Sequence, residues 1–349
     1  MSLDPIYIPN LKTSDSELRA LRYLSQEVRD RILPAFEITR SRVTKKAPHG
    51  SVHRRAEQLV EASGLSRFVL DVTTEADLMN EEMEAFFDET NGYAKWRSFV
   101  ASAFSSNVVP CLLYVEGGDE AEFKRQVAKF ADAHTQIALR TSATDRDDAA
   151  RLYRWALEIV DRDRIIIIGS LYFLEQGLLP VYADRCRQYL TTVIGNQPSH
   201  LVAFPGSSFP KAVGSGEYGE DDGGEFEALE IPLFQQLKST YRNMPLVYSD
   251  YAAVHPIRYP TRGGTWVPRI DVFDGQRFAF SRLRSDDGGY AAAARNIVGS
   301  YGKALPDCWG SEQIRMAATG VLPGRSPSYW ISARINMWIT QRAFDLSLE

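Results

Sequence analysis

Ile165-Ile166-Ile167-Ile168-Gly169 decides how this chain is read. A strand with one wet face alternates apolar and polar residues. Four consecutive isoleucines put apolar groups on both faces, so this strand belongs inside a sheet covered on both sides. Working outward, seven more short runs end in the same way, in or beside a polar residue: Ile6-Tyr7-Ile8-Pro9, Ala35-Phe36-Glu37-Ile38, Phe68-Val69-Leu70-Asp71, Val109-Pro110-Cys111-Leu112-Leu113-Tyr114, Gln136-Ile137-Ala138-Leu139-Arg140, Leu201-Val202-Ala203-Phe204 and Leu246-Val247-Tyr248-Ser249-Asp250. A helix-like stretch follows each. Buried strands alternating with helices predict a parallel sheet, and eight such units in 349 residues predict a closed (β/α)8 barrel of the TIM type. Barrels of this kind carry their sites at the C-terminal ends of the strands. Here those ends supply Lys12, Glu37, Asp71, Glu116, Arg140, Ser207, Asp250 and His255.

The connections follow the same logic. Ser14-Asp15-Ser16-Glu17 opens a helix that runs through Leu18, Leu21, Leu24 and Val28, and His53 to Gly64 forms the next, ended by its glycine. Two helices, 81–89 and 93–104, follow the third strand, and single helices are predicted over 119–134, 145–160 and 178–194. Between the seventh strand and its helix, Gly214 to Glu225 is Gly-rich and acidic, which predicts a flexible, solvated loop. Its carboxylates would repel a phosphate at a position where many barrels bind one, unless they hold a divalent cation. After the eighth strand, Trp266 to Phe273 and Gln276 to Arg282 flank Asp274-Gly275 and predict a β-hairpin. Helices over 289–301, 310–319 and 329–344 complete the chain. The expectation is one domain over 1–349: a barrel of about residues 1–300 that includes an inserted hairpin, 266–282, and a helical C-terminal extension, 301–349.

Composition narrows the functional classes. Hydrophobic residues make up 44% and charged residues 24%, ordinary for a folded soluble chain. The net charge of −5 gives no general attraction to nucleic acid or anionic membrane, so nucleic acid stays possible without being indicated. Arg40, Arg42, Lys45, Lys46, Arg54 and Arg55 cluster locally, and a solvated loop entering a helix accounts for them. No apolar stretch approaches membrane-spanning length, and no leader-like apolar segment precedes the first strand. Cys111, Cys186 and Cys308 are widely spaced and lack any Cys-x-x-Cys pairing, which disfavours disulfide scaffolds and zinc ribbons. A cytoplasmic setting is expected.

Two arrangements of the barrel mouth compete. Glu37, Asp71 and Asp250 could share a divalent cation and position a water for hydrolysis of a phosphodiester or nucleotide, with Arg140 and Lys12 neutralising the phosphoryl group and His255 as general acid. Alternatively, Glu37 or Asp71 pairs with Lys12 or Arg140 in a salt-bridged plug without chemistry. Just beyond the eighth strand, Asp250, Tyr251, His255, Arg258 and Tyr259 mix acid, base and aromatic groups within ten positions. This is either a recognition surface or a loop stiffened by Pro256 and Pro260. No Gly-x-Ser-x-Gly elbow, Walker A sequence or well-placed dinucleotide fingerprint is present.

The opening Tyr7-Ile8-Pro9-Asn10-Leu11-Lys12, with Glu17-Leu18-Arg19-Ala20-Leu21 and Ile32-Leu33-Pro34-Ala35-Phe36-Glu37-Ile38, resembles the start of the "beta protein" family. Tyr248-Ser249-Asp250-Tyr251, His255-Pro256-Ile257-Arg258-Tyr259, Trp309-Gly310 and Ser328 to Asn336 extend the resemblance over nearly the whole chain, while the acidic loop and Arg262-Gly263-Gly264 look individual to it. The resemblance implies a phage or prophage setting, with either phage exclusion or control of a neighbouring toxic protein through a partner encoded nearby. It supplies no catalytic residue.

Overall fold

The computed structural model describes residues 5–45, 47–64, 67–195, 201–213, 218–220, 222–258 and 266–345. Eight strands form the expected barrel: β1 (Tyr7–Lys12), β2 (Ala35–Ile38), β3 (Val69–Val72), β4 (Val109–Pro110), β5 (Ile137–Ser142), β6 (Ile165–Ser170), β8 (Leu201–Ala203) and β12 (Leu246–Asp250). Every neighbouring pair is parallel, in the order β4-β3-β2-β1-β12-β8-β6-β5. The ring closes where the Leu112 N–H donates to the Ala138 carbonyl at 2.8 Å beside the Cys111–Ala138 bridge. Two short strands, β7 (Tyr172–Phe173) and β9 (Gly206–Ser207), extend the sheet above β12.

The period of two along each strand sets what faces the barrel axis. Ile8, Ala35, Val69, Val109, Ala138, Ile166, Ile168, Leu201, Ala203 and Val247 pack together inside the ring. Two residues further along the same strands come Asn10, Glu37, Asp71 and Arg140, and Lys12 follows Asn10. An apolar interior is therefore capped by a charged layer at the C-terminal end. Register completes the arrangement, since Lys12 lies beside Glu37 and Glu37 beside Asp71 on adjacent strands.

Outside the ring lie α1 (Asp15–Arg22), α2 (Gln26–Arg29), α3 (Val52–Ser63), α4 (Glu81–Glu84), α5 (Thr90–Ala103), α6 (Glu120–Ala133), α7 (Arg146–Leu157), α8 (Leu179–Tyr189) and α9 (Glu230–Thr240). Their starts and stops obey local chemistry. The Ser51 hydroxyl accepts the Arg54 N–H at 3.2 Å to open α3, and Gly64 ends it at φ 56. The Asp119 carboxylate accepts the Glu122 N–H at 3.0 Å to open α6.

The acidic stretch departs from expectation. The described part of it forms β10 (Gly219–Glu220) and β11 (Gly223–Glu227), which join the expected hairpin of β13 (Arg269–Phe273) and β14 (Arg277–Arg282) in an antiparallel sheet. Residues 214–217 and 221 lie outside the described residues. The reason is the alternation at Glu225-Phe226-Glu227. Both glutamates are exposed, while Phe226 is buried opposite Phe278 and packs edge-on to Phe209. The Glu225 carboxylate accepts the Tyr301 hydroxyl at 2.6 Å, so it serves the sheet rather than a cation.

Helices α10 (Gly289–Tyr301) and α11 (Trp309–Ala318) cover this sheet with a second apolar core that includes Ile270, Val272, Tyr290, Ile297 and Ile314. The expected C-terminal helices are present, and the last does more than extend the barrel. Helix α12 (Pro327–Asp345) gives Trp330, Ala333 and Met337 to the second core and Ile335, Trp338, Ile339 and Ala343 to the main one. The Asn336 amide donates to the Ala20 carbonyl of α1 at 3.1 Å, fixing α12 on the barrel wall.

Candidate functional site: a charged barrel mouth

The charged layer is a closed network. Lys12 Nζ bridges Glu37 at 2.9 Å and Glu75 at 2.8 Å, and donates to the Pro256 carbonyl at 3.0 Å. Arg140 reaches across from β5 to Glu37 at 2.5 Å and Asp71 at 3.2 Å, steadied by the Ser170 and Tyr251 hydroxyls at 3.1 and 3.2 Å. Burial by itself would raise the Glu37 carboxyl, yet the Arg140 and Lys12 charges outweigh it and hold the group at about 2. Asp71 goes the other way. Burial raises it, Arg140 opposes and the Glu37 charge adds to the rise. Above the network lies a cavity of about 360 Å³ lined also by Leu112, Tyr114 and Tyr172. Two carboxylates in one cavity with protonation pushed apart can divide acid and base roles.

Asp250 does not join them. Val247 and Ser249 have the inward parity, so Tyr248 and Asp250 face the helices. There the Asp250 carboxylate accepts the Tyr7 hydroxyl at 2.5 Å, the Trp338 indole N–H at 2.6 Å and the Ala252 N–H at 2.7 Å. The expected Glu37–Asp71–Asp250 cation site is thus not assembled, because adjacent strand positions point to opposite faces. Both Glu37 oxygens are bonded to Lys12 and Arg140, and those of Asp71 to Arg140 and the Val72 N–H, so this donor set does not fit a divalent cation. Among the described residues, no three His, Cys, Asp or Glu side chains converge as metal ligands.

The remaining expected residues separate. His255 Nδ1 meets the Ile257 backbone at 2.9 Å, its ring lies 5.0 Å from Phe173, and burial lowers its proton affinity. Arg258 is exposed. Its guanidinium bonds Ser14 and, at 2.9 Å, Glu17, and its N–H reaches Glu75 at 2.9 Å. Tyr251 joins the network through Arg140 and stacks on Tyr172. Tyr259 lies outside the described residues. Glu116 is exposed, and Ser207 is buried, accepting the Phe209 N–H at 3.1 Å.

Several site residues escaped sequence reasoning. Glu75 sits in a loop without periodicity, and nothing short of a fold brings it to Lys12. Ser170 lies one residue beyond the Ile165–Gly169 run, while Tyr114 closes the Val109–Tyr114 run, where its apolar ring marks strand rather than site.

The Beta protein family model matches residues 7–344. This chain belongs to the Beta protein family. Among curated relatives of this family member, Protein beta of Enterobacteria phage P4 is 23% identical over 340 residues, spanning 96% of this chain and 92% of that protein. Among solved structures, the spore cortex-lytic enzyme SleL of Bacillus megaterium QM B1551 aligns over 95% of this chain and 74% of its own at 6% identity. Its TM-score of 0.26 is too low to carry any argument about fold or chemistry. The family assignment accords with the resemblance of the opening strand and of the segment after β12.

Proposed function

We propose that this Beta protein family member acts by recognising a protein partner, encoded nearby on a mobile element, at the face that surrounds the barrel mouth, in toxin control or phage exclusion. The observation that carries the reading is the rim. Tyr172 and Ile257, each 40% exposed, and exposed Arg258 stand above a floor whose charged groups are already paired with one another. Tyr and Arg are enriched among residues that dominate binding energy. Tyr172, Ala252 and Ala253 hold φ of 60, 50 and 58, and such backbone strain concentrates where a binding surface must be rigid. The test is co-purification of the full chain with each neighbouring gene product. Ile257→Asp should abolish the complex and the protective phenotype while leaving the melting temperature unchanged. Absence of any complex, together with unchanged toxicity of the neighbouring product, overturns the reading.

The divided protonation of Glu37 and Asp71 favours one second reading, a hydrolase of phosphodiester or nucleotide that uses Asp71 as its acid without a divalent cation. Asp71→Asn discriminates. It should leave partner binding intact under the first reading, and abolish turnover under the second.

A further inference from the structure

A second cavity, of about 940 Å³, lies between the barrel mouth and the accessory layer and meets the charged network at Lys12. Its wall includes Arg334 from α12 and Arg269 from β13, and both also line the adjoining cavity of about 360 Å³. These two guanidiniums share a single carboxylate. Asp271 bridges Arg334 at 2.7 Å and Arg269 at 3.0 Å. Phe209 lies under both, with its ring centre 3.8 Å from the Arg334 Cζ and 5.4 Å from that of Arg269. Arg334 is only 6% exposed, and its Nε is buried without a hydrogen-bond partner.

Among the described residues Arg334 pairs with no carboxylate but the shared Asp271, and a buried guanidinium short of negative charge costs free energy unless something supplies it. Burial lowers Arg334 to about 10, with Asp271 opposing and the Arg269 charge adding to the fall. Across the cavity Arg55 repeats the pattern. It is buried, paired to Asp15 at 2.9 Å, and its Nε also lacks a partner. Guanidinium forks match phosphate geometry. The volume falls in the range of small-molecule sites and far exceeds a lone anion.

We propose that this cavity binds a phosphate-bearing small molecule of nucleotide size, anchored by Arg269 and Arg334. The inference rests on Arg269 and Arg334 rather than on Ile257 and Arg258, which line the same cavity nearer the rim, so a change at Arg269 tests it apart from the partner reading. The negative charge of the phosphate completes the ion set that Asp271 half satisfies, while Phe209 holds both guanidiniums in place.

Calorimetric titration of the full chain tests it, with pyrophosphate, AMP, ATP and citrate as probes. The expected result is binding of pyrophosphate or ATP accompanied by a rise in melting temperature. ATP tighter than pyrophosphate assigns a nucleotide, and equal affinity assigns an inorganic phosphate. Arg269→Gln leaves Arg334 paired with Asp271 and should weaken binding about tenfold or more. Arg334→Met in turn leaves Asp271 paired with Arg269. That variant should lose binding with its circular dichroism unchanged. The proposal is overturned if no phosphate probe binds at millimolar concentration, if citrate binds as tightly as pyrophosphate, or if Arg269→Gln retains full affinity.

Discussion

Glu37 is the keystone of the mouth network, and its effect on stability has a definite pH window. Its carboxyl falls from 4.5 to about 2 on folding, so it stabilises the fold above pH 4.5. That contribution, about 3 kcal/mol, disappears as pH drops from 4.5 towards 2. Urea unfolding of Glu37→Gln across that window should show a flatter acid limb than the parent. Arg140→Met is harsher, since it leaves Glu37 and Asp71 buried without their shared cation. Breaking a buried ion pair costs about 3–5 kcal/mol, measurable as a lower urea midpoint at pH 7. Glu230 has the opposite sign. It is buried, one carboxylate oxygen accepts from the Ser208 hydroxyl at 2.6 Å, and the other has no partner among the described residues. Burial, reinforced by the Asp250 charge, raises it from 4.5 to about 7. Its folded form favours the proton, so the stability it lends is present below pH 4.5 and is lost as pH rises through 7. Glu230→Gln should remove about 3 kcal/mol of that slope, and an unchanged slope between pH 4.5 and 7 would refute the assignment.

Among the elements, β11 adds one buried side chain, Phe226, to its backbone ladder with β14. Phe226→Ala should cost about 3–5 kcal/mol and release 223–227 to hydrogen exchange, while the amides of β5 and β6 stay protected. Protection lost equally in both regions would count against an independent outer strand. Strand β12 shows where sequence reading succeeds and stops. Its presence was plain from Leu246 to Tyr248, because a run apolar on both faces has few other uses. For the same reason its parity was hidden, since Val247 and Tyr248 are equally apolar and nothing marks which one faces the axis. Ser249 and Asp250 therefore looked equally able to reach the mouth, and only the packed ring separates them. In β11 the opposite occurred: local glycines and acids masked a single phenylalanine whose partner, Phe278, lies far along the chain.

For the whole molecule, the eight-strand barrel was legible because each strand carries its own signal. The place of α12 was not, since its contact with α1 joins Asn336 to Ala20, 316 positions apart along the chain. Sharing one helix between two cores predicts a single cooperative transition. Tryptophan fluorescence and far-ultraviolet circular dichroism should give coincident urea curves, and two separated midpoints would show that the cores melt apart. The same arrangement reaches back to the ribosome. The final strand of the ring ends at Asp250, yet the helix that covers Tyr7 and Asp250 begins only at Pro327. At ordinary synthesis speeds those intervening residues take roughly 4–15 s. Throughout that delay the nascent barrel carries a bare seam, with a carboxylate awaiting its indole, so this is the interval in which chaperone occupancy on translating chains should peak.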